Sequence, residues 1–188
     1  MVNELNIVRR NKGFFNSMLG EAHQHIIAGI LLRLGFAIAA APVRTGAYDL
    51  IVTAYFDRDR QPEKEILLRA QCRTVQQGKS LRLVGGIRGG VDRIYLRPSP
   101  KEYKYTEEHN DLILAIEAET LDIFVIPTRL TRYWGKSVSV RKLEPLRNRF
   151  DILLNWNEDA LQRLEEELRR EFQSRRRRGM THRHSMLF

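Results

Sequence analysis

Residues 65–75, "EILLRAQCRTV", decide the fold that this sequence predicts. The run is apolar enough for a buried β-strand, yet it carries Gln71 and Arg73 near its end. Side chains alternate across a strand, so Gln71 and Arg73 point to one side and the residues next to them point to the other. An amide and a guanidinium side by side on a strand otherwise suited to a core indicate that this side has a function.

The segments before this strand predict a helix followed by a meander of strands. A helix is expected over residues 14–34, and Gly35 ends it. Its apolar residues at helical spacing form one stripe, namely Phe15, Met18, Leu19, Ala22, Ile26, Ile30 and Leu34. Strands are expected in residues 36–43 and 47–56, and a turn over residues 58–64 leads into the strand at 65–75.

The second half predicts further strands and a closing helix. Residues 80–88 are typical of a strand or extended arm, and residues 111–127 of a hairpin. A short helix is expected over residues 128–135, and a last helix begins after Asn157, which is a good N-cap. The last helix carries Leu161, Leu164, Leu168 and Phe172 on one face. These elements predict an α/β fold in a single domain, residues 1–174, because no linker divides the chain.

Composition sets the class of protein. The chain has 188 residues, of which 43% are hydrophobic and 29% are charged, as in an ordinary globular protein. It contains no apolar run long enough to span a bilayer and no apolar block typical of a secretory signal near its start. A single cysteine, Cys72, excludes an internal disulfide. We therefore expect a soluble, cytoplasmic protein that does not insert into a membrane.

The net charge of +9 is unevenly distributed. Residues 175–188 hold five arginines and no acid, and we expect a flexible basic tail that either adds salt-sensitive affinity for nucleic acid or is a solvated terminus. Residues 73–104 contain eight Lys or Arg and two acids, and residues 128–149 contain seven and one. Residues 157–171 are instead rich in acids. Cations gathered on particular segments indicate a polyanionic partner.

Polar residues that suit a metal site lie on the first predicted helix and at the ends of two neighbouring predicted strands. Glu21 lies on the first helix, Asp49 lies where the second strand begins, and Gln71 and Arg73 close the third. The acid and the polar pair meet if those two strands are antiparallel neighbours. Oxygen ligands that converge there would suit Mg²⁺, which needs few protein ligands and keeps several waters. A cation beside that metal suits phosphodiester chemistry, in which charge grows on phosphate oxygens.

The order of these residues resembles that of the PD-(D/E)xK nuclease superfamily. The resemblance rests on "GEAHQHIIAGILLRLGFAIAAAPVRTGAYDLIV" followed by "LLRAQCRTV", covers roughly residues 17–156 and is strongest with Holliday-junction resolvases and homing or restriction endonucleases. It implies a restriction-endonuclease-like core with a mixed central β-sheet flanked by helices. It also implies catalytic roles for Glu21, Asp49, Gln71 and Arg73. In such nucleases the backbone carbonyl at the position of Cys72 also reaches the metal, which is Mg²⁺ or Mn²⁺.

Two positions depart from that family pattern. Arg73 stands where the family has lysine, and arginine cannot act as a general base at neutral pH. Gln71 brings no negative charge, so the site has fewer anions. Arg73 could still stabilise the transition state, or both changes could mark a site that has lost activity. The sequence thus leaves open a metal-dependent DNA endonuclease and a catalytically inactive, nuclease-fold DNA-binding module.

DNA contacts are expected from the basic segments. Their candidate residues are Lys79, Arg82, Arg88, Arg93, Lys136, Arg141 and Lys142. Arg88 and Arg93 lie in "GGIRGGVDR", which we interpret as a DNA-contacting segment, although an ordinary surface loop is the alternative. His25 could touch the site but is more typical of a surface histidine, whereas His23 is expected to face away. Cutting both DNA strands requires two sites, so the resemblance also implies a homodimer or higher oligomer.

Overall fold

The computed structural model describes residues 12–41, 47–61, 63–85 and 102–184. The first half comprises helix α1 (Lys12–Arg33) and strands β1 (Ile38–Ala40), β2 (Leu50–Tyr55), β3 (Glu65–Val75), β4 (Ser80–Arg82) and β5 (Val84–Gly85). The second half comprises β6 (Tyr103–Lys104), β7 (Leu112–Glu117), β8 (Ile123–Pro127), β9 (Ser137–Ser139), α2 (Val140–Leu143) and α3 (Glu158–His184). Short 3₁₀ segments span Thr128–Tyr133, Glu144–Leu146 and Phe150–Leu154.

A five-stranded mixed sheet forms the centre of the fold. Its strands run in the order β1-β2-β3-β7-β8, with β3 and β7 parallel and the other neighbours antiparallel. Every residue of β7 and β8 is buried, as expected for strands that are covered on both faces. The predicted α/β class, with a mixed central sheet flanked by helices and a C-terminal helix, is confirmed.

Strand β3 changes partner at Ala70. Up to Ala70 it pairs with β2, and from Ala70 onward it pairs with β7, so both partner strands begin at the same level of the sheet. An aspartate precedes each of them: Asp49 stands before β2 and Asp111 before β7. The Asp49 amide donates to the Ala70 carbonyl at 2.8 Å, and the Asp111 amide donates to the Arg69 carbonyl at 2.9 Å. The sheet therefore has a switch point at which two carboxylates lie close to the backbone of β3.

Helix α1 is rotated relative to the sequence prediction. The predicted stripe is not the buried face, because Met18 is 51% exposed and Leu34 is 46% exposed. The fully buried line is instead His23, Ile27 and Leu31, which are spaced four residues apart. His23 is 2% exposed, and its Nδ1 lies 2.8 Å from the Thr74 hydroxyl on β3. The prediction that His23 faces away was wrong, because a hydroxyl on the sheet satisfies the imidazole and makes its burial possible.

The C-terminal elements mostly match the prediction. Asn157 caps α3, since its side-chain oxygen accepts the Ala160 amide at 2.9 Å. Leu161, Leu164 and Leu168 are buried, and Phe172 packs against the core. Helix α3 continues into the basic tail as far as His184 and includes all five of its arginines, which are good helix formers, and the expected flexibility of the tail stays a prediction. None of the described helices is long and apolar enough to cross a membrane.

The buried His23 predicts a specific pH dependence of stability. Burial lowers the pKa of His23 from its ordinary value of 6.5, although Glu119 opposes that shift. Below pH 6.5 the unfolded chain therefore binds the proton better than the folded one. The contribution of neutral His23 is fully present above this pH and is lost as the pH falls from 6.5 toward the folded pKa, with a slope of up to about 1.4 kcal/mol per pH unit.

Urea unfolding of the wild type and His23→Gln across this range measures the effect. We expect the free energy of unfolding to fall more steeply with decreasing pH in the wild type, because glutamine keeps a polar group opposite Thr74 and does not titrate. Equal slopes for the two proteins would contradict a buried neutral His23.

Candidate functional site

The switch point of the sheet brings Asp49 and Gln71 together, as the sequence predicted. Asp49 Oδ2 accepts the backbone amide of Cys72 at 2.8 Å and the side-chain amide of Gln71. Gln71 is only 6% exposed, whereas Asp49 is half-buried. The predicted antiparallel pairing of β2 and β3 explains the contact, because Leu50 stands opposite Ala70 and places Asp49 beside the next two residues of β3.

Gln71 and Arg73 are joined through a third side chain, Tyr105. The Tyr105 hydroxyl donates to Gln71 Oε1 at 3.3 Å and accepts Nη2 of Arg73. The same Nη2 donates to the Val84 carbonyl at 3.2 Å, and the guanidinium lies over the Tyr105 ring, 5.1 Å from its centroid. A hydrogen-bonded chain, Asp49–Gln71–Tyr105–Arg73, therefore runs across this part of the protein.

The Arg73 guanidinium is an incompletely satisfied buried cation. Burial lowers its pKa, and Asp49 opposes that shift. The group remains charged, because arginine does not lose its proton in proteins. Its Nε is buried and has no hydrogen-bond partner among the described residues. Arg73 therefore places a positive charge close to the Asp49 carboxylate in the interior of the site.

Cys72 contributes its backbone and not its thiol. Its amide binds Asp49, and its carbonyl accepts the Gln71 side-chain amide at 3.2 Å. Burial, with the Asp49 charge, raises the pKa of the Cys72 thiol far above its ordinary value, so the thiol stays protonated and is a poor nucleophile. The thiol packs against the core, as expected for a small buried residue.

Glu21 lies on α1 with its carboxylate 3.5 Å from Nε2 of His25, one helical turn away. The His25 side chain is largely exposed, as expected for a surface histidine. The convergence of Glu21 with Asp49 and Gln71 stays a prediction, as do the catalytic and metal-binding roles of these residues.

The donor types at the switch point fit Mg²⁺. They are the Asp49 carboxylate, the Gln71 amide and the Cys72 carbonyl, and Mg²⁺ uses one or two carboxylates and keeps several waters. Within the described ranges, no three His, Cys, Asp or Glu side chains are grouped so that they could hold one metal ion. In the structure Gln71 presents Nε2 to Asp49, and a half-turn of the amide would present Oε1 instead.

The predicted DNA-binding residues come together from two distant segments. Strands β4 and β9 pair into a two-stranded ribbon, which we call the β4–β9 ribbon. Exposed cations from both basic segments lie on the ribbon or next to it in the chain, namely Lys79, Arg82, Lys136, Arg141 and Lys142. Glu102 lies 3.7 Å from Arg82 and 3.5 Å from Lys136. Arg88 and Arg93 lie outside the described residues.

The basic segment 128–149 is divided by the fold. Arg129 pairs with Glu158 and Glu165 on α3, at 2.8 and 3.0 Å. Arg147 pairs with Glu117 and two further acids. Arg132 and Arg149 are also held in ion pairs, and Lys136 pairs with Glu102. Lys136 lies next to β9, and Arg141 and Lys142 lie on α2, which follows β9.

Sequence reasoning missed two residues at the site. Tyr105 was not singled out, although the alternation of Tyr103 and Tyr105 is a signal of a strand with aromatic residues on one side. Asp111 was also missed. The triplet Asp-Leu-Ile occurs at residues 49–51, where β2 begins after the aspartate, and again at residues 111–113, where β7 begins in the same way. Asp111 holds the Arg69 guanidinium at 2.9 Å and accepts the Arg69 backbone amide at 2.7 Å.

Removal of the Tyr105 hydroxyl should loosen the chain from Asp49 to Arg73. In Tyr105→Phe, Gln71 Oε1 loses a donor and Arg73 loses an acceptor while the ring beneath the guanidinium remains. We expect a loss of about 1–3 kcal/mol in the free energy of unfolding, because buried polar groups are left without partners. Alkylation of Cys72, the single cysteine, should become faster.

Tyr103→Phe is the matched control for that measurement. Tyr103 contacts the Tyr105 ring edge-on, 5.8 Å between centroids, but its hydroxyl lies outside the chain that links Asp49 to Arg73. Equal stability and equal Cys72 alkylation in the two variants would show that the Tyr105 hydroxyl does not hold the site together.

Comparison with known proteins supports the fold. No family model matches this sequence, and no curated protein matches it. The structure is similar to that of a bacterial homing endonuclease, I-Ssp6803I, with a TM-score of 0.56 and 14% sequence identity. The match covers 73% of this chain and 92% of the other. The chain therefore has the fold of a nuclease, and membership of the PD-(D/E)xK superfamily stays a prediction.

Proposed function

We propose that this protein is a metal-dependent DNA endonuclease that hydrolyses phosphodiester bonds. The observation that carries the proposal is the convergence of Asp49, Gln71 and Arg73 in one hydrogen-bonded chain at the switch point of a nuclease-fold sheet. A carboxylate and an amide next to a buried cation form the kind of site that phosphodiester hydrolysis uses. The similarity to a homing endonuclease supports DNA as the substrate.

Asp49 and Gln71 would hold Mg²⁺ or Mn²⁺, with the Cys72 carbonyl and Glu21 as further oxygen donors. The metal would supply positive charge that stabilises the anionic phosphate. Among the donors at the switch point, Asp49 is the one that carries a negative charge. Hydrogen bonds with the backbone of β3 fix its position.

The difference between Asp49 and Asp111 supports a functional role for Asp49. Both precede a strand and accept a backbone amide of β3, at Cys72 and at Arg69 respectively. Asp111 also forms an ion pair with the Arg69 guanidinium, which assigns its charge to a structural role. Asp49 Oδ2 instead accepts the Gln71 side-chain amide as well, which joins this carboxylate to the hydrogen-bonded chain that reaches Arg73.

Arg73 would stabilise the transition state and would not act as a base. Its guanidinium is held by Val84 and Tyr105, so little reorganisation is needed when charge develops on a phosphate.

A homodimer or higher oligomer would provide the second site needed to cut both strands. That part of the proposal rests on the family resemblance alone.

A second candidate function is a nuclease-fold DNA-binding module without catalysis. It is favoured by the Gln71 side-chain amide, which donates to Asp49 Oδ2 and so occupies a carboxylate oxygen that a metal would need. In that case Arg73 acts as a structural cation or a phosphate clamp, and the protein recognises DNA without cutting it.

Single-turnover cleavage of plasmid, linear and four-way-junction DNA separates the two functions. We expect wild-type cleavage to require Mg²⁺ or Mn²⁺ and to stop with chelator. Asp49→Asn should lower the rate by a factor of about 10² or more while DNA affinity is kept, since one preorganised electrostatic group is removed from the site. Arg73→Lys should keep activity because the charge remains, and Arg73→Ala should lower turnover more than affinity.

Asp111→Asn is the matched control, because it removes an equivalent carboxylate at the same switch point. It should destabilise the protein through loss of the Arg69 ion pair and leave metal-dependent cleavage in place below its unfolding transition. Salt-sensitive DNA binding without metal-dependent cleavage by the wild type would establish the binding module instead. Full activity in Asp49→Asn would overturn the assignment of the site.

A further inference from the structure

The outward face of the β4–β9 ribbon is polar and made of small side chains around one arginine. The register sets Ser80 opposite Ser139 and Arg82 opposite Ser137, with Leu81 and Val138 between them. Leu81 and Val138 are buried, so the ribbon is anchored through one face. On the other face Ser80, Arg82 and Ser137 are exposed and Ser139 is half-buried.

We propose that the β4–β9 ribbon reads base pairs in the major groove of duplex DNA, with Arg82 contacting guanine. The inference rests on the proposed function in that it takes DNA as the partner, and it adds the element and the residue that select the sequence. Arginine binds the two acceptors of guanine through its fork, and serine can donate to or accept from any base. Small serine side chains allow the ribbon backbone to approach the base edges closely.

The dimensions of the ribbon fit this partner. The major groove is about 12 Å wide and admits a two-stranded ribbon. Outward residues two apart on a strand are about 6.6 Å apart, which corresponds to about two base-pair steps of about 3.4 Å. The ribbon should therefore specify a motif of about two or three base pairs.

The cations beside the ribbon suit the phosphates that border a groove. Lys79 precedes β4, and Arg141 and Lys142 follow β9 on α2, whereas Lys136, which precedes β9, pairs with Glu102 at 3.5 Å. Phosphate contacts position a protein on the duplex, whereas base contacts select the sequence. The ribbon thus combines a polar centre with a cationic border.

Glu102 favours a base contact over a phosphate contact for Arg82. The Glu102 carboxylate lies 3.7 Å from Arg82, whose side chain remains 65% exposed. An exposed ion pair of this kind contributes little and is easily exchanged. A carboxylate next to Arg82 also repels phosphate, and the neutral edge of guanine avoids that repulsion.

The ribbon leads directly to the residues that hold Arg73. Val84, two residues after Arg82, accepts the hydrogen bond of Arg73 through its carbonyl. The Leu83 carbonyl accepts the backbone amide of Tyr105 at 3.0 Å. The Arg82 charge is also close enough to contribute to the lowered pKa of Arg73. DNA that reaches Arg73 therefore passes near Arg82.

Single-stranded nucleic acid fits this surface less well than duplex DNA. Sequence-tolerant binding of single strands uses aromatic side chains as stacking platforms, and the outward face of the ribbon consists of three serines and an arginine. Double-stranded RNA has a deep, narrow major groove that side chains cannot read.

Selection from a randomised DNA duplex library, with chelator and separately with Ca²⁺, tests the inference without cleavage. The wild type should enrich a guanine-containing motif of about two or three base pairs at one position of its site. Arg82→Lys keeps the charge and loses the fork, so preference for that guanine should fall about 5- to 150-fold while the slope of log affinity against log salt is kept.

Two controls separate reading from electrostatics. Lys142→Ala should keep the motif, weaken binding equally on preferred and scrambled duplexes and lower the salt slope by about 1. Arg60→Lys, on the exposed turn between β2 and β3, should change neither quantity. Circular dichroism of each surface variant would check that it remains folded.

The outcomes distinguish this inference from the proposed function. Duplex binding by the wild type without sequence preference would overturn the ribbon as a reader and leave the nuclease proposal intact. An unchanged motif in Arg82→Lys would do the same. Tighter binding of single-stranded DNA or RNA than of duplex would also overturn it. Failure to bind any DNA would overturn both proposals.

Discussion

The exchange of partners by β3 at Ala70 is the constraint on which the site depends. Beyond the ends of β2 and β7, backbone amides of β3 lack a strand partner and must be satisfied in another way. Two aspartates supply the acceptors: Asp49 for Cys72 and Asp111 for Arg69. Both carboxylates are fixed by backbone contacts before any ligand is bound. The same geometry that completes the sheet therefore preorganises the candidate site.

Arginine at position 73 suits the surroundings that the fold gives it. A buried cation is stable only when its donors are engaged, and Arg73 reaches the Val84 carbonyl and the Tyr105 hydroxyl while it lies over the Tyr105 ring. Close approach is possible because residue 85 is glycine: a Cβ there would lie 2.8 Å from the Tyr103 ring and 3.0 Å from the Tyr105 hydroxyl. Nη2 donates both of these hydrogen bonds while the planar guanidinium lies over the ring, and the compact ammonium of a lysine could not stack on the ring in the same way. Arginine at position 73 therefore provides a fixed cation but cannot act as a general base, as a lysine could.

Much of the fold was predictable because local signals agree with tertiary packing. Strand β3 spans the predicted residues 65–75, Gly35 follows α1 with φ +91°, and Asn157 caps α3. The contact of Asp49 with Gln71 was also predictable, because an antiparallel meander places them together. Residues whose role depends on distant pairing were not predictable. Tyr105 meets β3 across an interval of more than thirty residues, and the pairing of β4 with β9 has no local signature.

The rotation of α1 shows a different limit. The sequence offers an apolar stripe, yet the helix buries His23 because Thr74 provides its hydrogen bond. A polar residue on a buried helix face becomes favourable only through a partner on another element, and helical periodicity does not contain that information. The continuation of α3 into the basic tail agrees with the helix propensity of arginine, which charge density alone does not convey.

The distribution of ion pairs turns a modest excess of charge into a directed surface. The acids of α3 neutralise Arg129 through Glu158 and Glu165, and Arg147 is held by Glu117 and its neighbours. These cations stabilise the contacts between elements and add little to the field outside the protein. At the β4–β9 ribbon, Glu102 lies between Arg82 and Lys136 and pairs with both. Among the described residues, exposed cations gather beside the β4–β9 ribbon, so the DNA that we propose as the partner would be attracted to the part of the surface that leads to Arg73.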